Sequence, residues 1–216
     1  MLFAQIRKKV TVLFLILVLF NLVSSAQITT EVDILTASDA AAEDWYGYSV
    51  AIDGNLVVVG SPRDDNDSGS AYVYDCSIYP CTQVVKLTTI TPVAGDGFGS
   101  AVAISGNTVV VGAYGTNSNT GAAYVFDLST CGGACTEKNK LSSSNGAEYD
   151  VFGISVALDG NTVVVGAEGE GNSSGAVYVF ARSGTTWSLQ AQLVPQDPAP
   201  STAMACPEAV MDQALP

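Results

Sequence analysis

The sequence predicts an all-β chain: a partial β-propeller of about three four-stranded antiparallel blades, preceded by a signal-peptide helix. Three observations predict it. A glycine-studded, valine-rich stretch is written three times, as YGYSVAIDGNLVVVGS from Tyr46, FGSAVAISGNTVVVGA from Phe98 and FGISVALDGNTVVVGA from Phe152. Each copy is followed by a matching partner, GSAYVYD at Gly69, GAAYVFD at Gly121 and GAVYVFA at Gly175. No amphipathic helical pattern follows the N-terminal apolar run. A four-stranded unit recurring about every 50 residues is the signature of blades stacked around an axis.

The first 26 residues stand apart from the fold. Arg7, Lys8 and Lys9 form a basic region, Val10 to Val23 an apolar run, and Ser24-Ser25-Ala26 a stretch of small residues suited to cleavage. The run is shorter than the roughly 20 apolar residues a membrane span needs. Residues 1–26 therefore read as a secretory signal, 27–196 as the repeat region and 197–216 as an irregular tail. Cleavage would remove three of the 8 basic residues and none of the 21 acidic ones, taking the formal net charge from −13 to −16. Such a charge excludes nucleic acid as a natural partner. At 48% hydrophobic residues, the chain can bury a core.

Within each repeat the strands follow from local chemistry. Ser49 to Ile52 and its copies alternate, and Gly54-Asn55, Gly106-Asn107 or Gly160-Asn161 then makes a tight turn. The second strand, Val57-Val58-Val59 and its copies, is apolar at every position and must be covered on both faces. A third strand runs through Tyr72 to Tyr74, Tyr124 to Phe126 and Tyr178 to Phe180. A fourth runs through Val84 to Thr88, Lys138 to Ser142 and Trp187 to Leu193. The blades span about 46–90, 98–142 and 152–194. A further strand, Val32 to Leu35, matches the fourth strand of a preceding blade. Gly60, Ala113 and Ala167 would allow neighbouring blades to approach, and the aromatics Tyr46, Phe98 and Phe152 would plug the core between them. An aspartate precedes each aromatic by two positions, at Asp44, Asp96 and Asp150, as a turn or cap residue would.

The pairs Phe98-Gly99 and Phe152-Gly153, with Gly112-Ala113, Gly166-Ala167 and Gly60-Ser61-Pro62, resemble the FG-GAP repeats of integrin alpha-chain β-propellers and of many secreted proteins. Tyr46-Gly47 stands in the first copy's aromatic-glycine position. The resemblance implies extracellular recognition. It also implies calcium sites in an aspartate-rich loop, but that connection shrinks here to Asp53-Gly54-Asn55, Ser105-Gly106-Asn107 and Asp159-Gly160-Asn161, turns that alone cannot supply the six to eight oxygens calcium takes. No cofactor is expected. The remaining acidic cluster, Asp64, Asp65 and Asp67, lies between the second and third strands and reads as a solvated loop, with a cation site as the alternative. Asn66-Asp67-Ser68 and Asn172-Ser173-Ser174 are glycosylation sequons on that loop in two different blades.

Cys76 with Cys81 and Cys131 with Cys135 read as two local disulfides in an oxidising compartment, leaving Cys206 over. Zinc is disfavoured because the chain has no histidine. The same absence removes imidazole-based catalysis.

A fourth aromatic-glycine pair is due at 204, where Met204-Ala205 stands instead. Closed propellers take about four to eight blades, so the sequence reads as a truncated member or as a chain that completes its ring by self-association. The functional expectation is a secreted, non-catalytic binding or adhesion module, contacting an extracellular protein or glycan through the loops at 61–69, 113–120 and 167–174. The alternatives are an inactive fragment of a larger propeller and, less favoured, a propeller-type polysaccharide-acting enzyme.

Overall fold

The computed structural model describes residues 33–132 and 134–196. These fall in one compact unit, Leu35–Pro216, with only Asp33 and Ile34 belonging to a second unit, Met1–Ile34. The signal peptide, the tail, Cys206 and Met204-Ala205 lie outside the described residues.

Among the described residues twelve strands form three four-stranded antiparallel sheets, each a meander in chain order. The first holds β1 (Ser49–Asp53), β2 (Leu56–Ser61), β3 (Ser70–Asp75) and β4 (Thr82–Leu87). The second holds β5 (Ala101–Ser105), β6 (Thr108–Ala113), β7 (Ala122–Asp127) and β8 (Asn139–Leu141). The third holds β9 (Ser155–Asp159), β10 (Thr162–Ala167), β11 (Ala176–Ser183) and β12 (Thr186–Leu193). Each β1–β2-type hairpin closes over two residues, as the pairing of Asp53 with Leu56 shows. Gly54, Gly106 and Gly160 adopt φ of +56°, +55° and +51° there, which glycine does without a Cβ penalty.

The valine triplets behave as their composition demands. Val109, Val110 and Val111 are all buried, yet successive side chains of a strand point to opposite faces. Val109 and Val111 join Val58, Val73 and Leu87 of the first sheet in one core, around Phe98 and Phe126. Val110 joins Val163, Val165 and Phe180 of the third sheet in another, around Phe152. The middle sheet is thus sandwiched by its neighbours, with β5 beside both β1 and β9. Phe98 meets Tyr124 and Phe126 edge-on, and Phe152 meets Tyr178 and Phe180 the same way, a favourable aromatic geometry.

The blades approach most closely at glycine. A Cβ on Gly60 would fall on the carbonyl oxygen of Gly99 in the next blade, and one on Gly112 would fall on that of Gly153. The register makes Gly60, Gly112 and Gly166 equivalent, opposite Ser49, Ala101 and Ser155. The close-approach position is therefore one residue before Ala113 and Ala167, which correct the sequence expectation. Within each blade the glycine after the aromatic donates its N–H to this same glycine: Gly47 to Gly60, Gly99 to Gly112 and Gly153 to Gly166, at 3.0–3.1 Å.

Asp33, Ile34 and Leu35 carry no strand, so the strand expected at Val32 to Leu35 is not formed over its described residues. Leu35 and Ala37 instead pack with Tyr46 on Val59, Tyr72 and Tyr74. This segment covers part of the first sheet's outer face. The inner strand stays bare: Val50 and Ile52 are 68% and 70% exposed, whereas their equivalents Val102 and Ile104, covered by the preceding sheet, are 8% and 7% exposed. Among the described residues no helix is long and apolar enough to cross a membrane.

Candidate functional site

The second strand of each blade ends, and the third begins, at the same end of its sheet, as the pairing of Ser61 with Ser70 shows. The connecting loops at that end repeat an unusual backbone. Asp65-Asn66, Asn117-Ser118 and Gly171-Asn172 all lie in the left-handed region. The first loop residue accepts a hydrogen bond at its carbonyl from a glycine five positions on: Asp64 from Gly69, Thr116 from Gly121 and Glu170 from Gly175, each at 2.9 Å. Asparagine, aspartate and glycine tolerate positive φ best, which explains the loop compositions.

One side chain in each loop turns inward. In the first blade Asp64 is buried, and its carboxylate accepts from the Tyr72 hydroxyl and from Lys86 Nζ at 2.8 Å. Lys86 also reaches Asp39 Oδ2 at 2.7 Å and Asp65 Oδ2 at 2.9 Å, and the Tyr72 hydroxyl reaches Asp39 Oδ1 at 2.8 Å. Burial alone would raise the Asp64 pKa, but Lys86 and Tyr72 outweigh it and hold the carboxyl below the ordinary carboxylate value. The hydrogen bond from Lys86 does the same for Asp39. Burial would lower the Lys86 pKa, and the three carboxylates reverse that.

The third blade builds the same place from neutral donors. Glu170 accepts from the Tyr178 hydroxyl, from Gln192 Nε2 at 2.6 Å and from Asn145 Nδ2 at 3.1 Å. Burial and Glu170 push the Tyr178 pKa up. Cross-strand pairing sets Lys86, Lys140 and Gln192 opposite Tyr72, Tyr124 and Tyr178. In the second blade Thr91, Thr116 and Lys140 take the corresponding positions and line a cavity of about 530 Å³.

The structure divides the acidic cluster read from the sequence. Asp64 and Asp65 face the Lys86 ammonium, while Asp67 turns to Arg63 at 3.6 Å. A fixed ammonium among Asp39, Asp64 and Asp65 supplies the positive charge that a cation would bring. Asn66 and Asn172 are both exposed on these loops. Asp44 and Asp150 accept backbone N–H bonds from Ala41 and Ala147, each at 2.6 Å, and Asp96 accepts from Val93. These aspartates cap their own turns.

The disulfides form as read, Cys76 with Cys81 and Cys131 with Cys135, with Cα atoms 4.3 and 4.7 Å apart. They sit at the opposite end of the sheets, beside the hairpin turns: the Cys76 N–H donates to Asn55. A second cavity of about 530 Å³ opens between the second and third blades, where Arg182 already bonds Asn161 and Thr108.

A model of the FG-GAP repeat matches residues 29–74, 81–126 and 135–180. The chain belongs to the FG-GAP repeat family. The second and third FG-GAP matches begin before the fourth strand of one sheet and end in the third strand of the next, so there the sequence repeat and the blade are one strand out of phase. The FG and GAP glycines are the close-approach pair just described. No match was found among curated proteins. Among solved structures, the crystal structure of Saccharomyces cerevisiae Sqt1 is similar with a TM-score of 0.47 at 13% identity, over 71% of this chain and 37% of that one.

Sequence reasoning did not single out Lys86, Lys140 and Gln192, nor Asp39, Thr91 and Asn145. The signal was there: Asp39, Thr91 and Asn145 each stand five residues before the capping aspartate.

Proposed function

We propose that this FG-GAP chain is a secreted, non-catalytic extracellular binding module that contacts a protein or glycan through the loops at 61–69, 113–120 and 167–174. One observation carries the reading. Three loops of matching backbone present different side chains, DDND, TNSN and EGNS, from one end of three equivalent sheets. A fixed frame with divergent loops is how folds carry recognition. The two disulfides favour an oxidising compartment. The absence of histidine from the sequence and the capping duty of Asp44, Asp96 and Asp150 support a non-catalytic role. Asn66 and Asn172 would carry glycans on the same rim.

The exposed Val50 and Ile52 favour a second feature, self-association that sets a second chain against the first blade. Sedimentation of the secreted chain tests it: a monomer at all concentrations overturns it.

An array of extracellular glycans and matrix proteins tests the binding reading. The expected result is a ligand whose binding changes when residues 116–119 are replaced by the 64–67 sequence, which has the same backbone. An array with no ligand, or binding indifferent to the exchange, overturns it.

A further inference from the structure

The second blade lacks the carboxylate that its neighbours provide. Tyr72 is answered by Asp64 and Tyr178 by Glu170. The equivalent Thr116 is too short to replace either. Thr116 is 5% exposed, yet its Oγ1 has no hydrogen-bond partner. Leaving a buried hydroxyl unmatched costs free energy unless something else answers it.

Two further groups on the same wall are unanswered. Lys140 Nζ lies 5.4 Å from the centre of the Tyr124 ring, and it forms no ion pair among the described residues. In a chain with 21 acidic and 8 basic residues, a lysine beside a cavity that makes no ion pair, and feels Asp96 only at longer range, is conspicuous. The Tyr124 hydroxyl makes no hydrogen bond to any described residue, although its counterparts on Tyr72 and Tyr178 each make two or more. The one carboxyl on the cavity wall, Asp96, accepts the Val93 N–H of its own turn; burial pushes its pKa up, against the pull of that N–H and of the Lys140 charge, which Asp96 feels without an ion pair forming.

We propose that this cavity binds a small carboxylate-bearing ligand, a sugar acid, whose carboxylate takes the place that the Asp64 and Glu170 side chains fill in the neighbouring blades. It accepts from Lys140 and from the Tyr124 hydroxyl, in the room that the short Thr116 side chain leaves, the charge-assisted bond being the stronger of the two. The cavity's 530 Å³ exceeds what a carboxylate alone needs and falls within the range of about 300–1,000 Å³ typical of ligand sites. Its remaining walls carry Thr91 and Asn117, hydroxyl and amide groups that suit a saccharide's hydroxyls. The inference rests on the binding-module reading and names the ligand class of one of its loops.

Titration calorimetry of the purified chain with glucuronate tests it, with glucose as the neutral control. Glucuronate is expected to bind, with glucose at least about tenfold weaker. Thr116→Asp copies the first blade and fills the site from within. It should cut glucuronate affinity at least about tenfold while leaving the melting temperature equal or higher. Lys140→Gln copies the third blade and should weaken binding similarly. No glucuronate binding, equal binding of glucose, or affinity unchanged in both variants overturns the proposal. Array binding that survives Thr116→Asp in a chain indifferent to glucuronate overturns the cavity's role alone and leaves the binding-module reading standing.

Discussion

Gly60 in the first blade lies against the carbonyl oxygen of Gly99 in the second, at a separation that leaves no room for a methyl group. The Gly99 N–H is at the same time bonded to Gly112 within its own blade, and Gly112 in turn meets Gly153 of the third. The two halves of the repeat motif are therefore one contact, made alternately within and between blades.

Gly112→Ala should destabilise the chain by about 1–3 kcal/mol, because backbone on both sides must move to admit the Cβ. A thermal melt should register this as a drop of several degrees. Gly132→Ala, where a Cβ meets nothing within 4 Å, is the control and should leave the melt unchanged.

The acid response follows from Asp39 and Asp64. Both carboxyls have folded pKa values below their ordinary one near 3.9. Their contribution is therefore complete above that value and is lost as pH falls through the folded one. Urea unfolding of the wild type and of Lys86→Gln should differ at pH 6, and the difference should shrink below about pH 4. A gap independent of pH would refute the role of the ion cluster.

Calcium chelation should leave the melting temperature unchanged. The Lys86 ammonium already lies within 2.9 Å of Asp39, Asp64 and Asp65, so these oxygens are committed. A drop on adding chelator, reversed by calcium, would show a site elsewhere.

Removing the first disulfide by Cys76→Ser with Cys81→Ser should cost at most about 2 kcal/mol, since so short a loop restricts the unfolded chain little. Because this pair lies at the far end of the sheet from the 61–69 loop, binding through that loop should be unaffected.

The fold was legible because its signals are periodic. All-apolar triplets such as Val109–Val111 demand two dry faces, and three copies supply them. The turns at Gly54, Gly106 and Gly160 were legible for the same reason, one residue type meeting one backbone need. The Val32 to Leu35 strand misled: Leu35 matches Leu87 and Leu141 in sequence, but it packs on Tyr72 and Tyr74 without pairing. The site was less legible. Asp64 and Asp65 read as a solvated loop because Lys86, the ammonium that holds them together with Asp39, lies 21 or more residues from each of the three and reaches them only through the sheet register. Thr116 carries no signal by itself; its meaning comes from contrast with Asp64 and Glu170.

The one-strand offset between repeat and blade bears on how such chains lengthen. A duplicated unit that begins before a fourth strand cannot stand as an independent sheet, because its first strand is spent on the unit ahead and its last sheet awaits a strand from behind. Each added copy is thereby stitched to its neighbours through main-chain ladders from the moment it arises, and recombination in the loops joining β3 to β4 inserts whole units without opening a sheet.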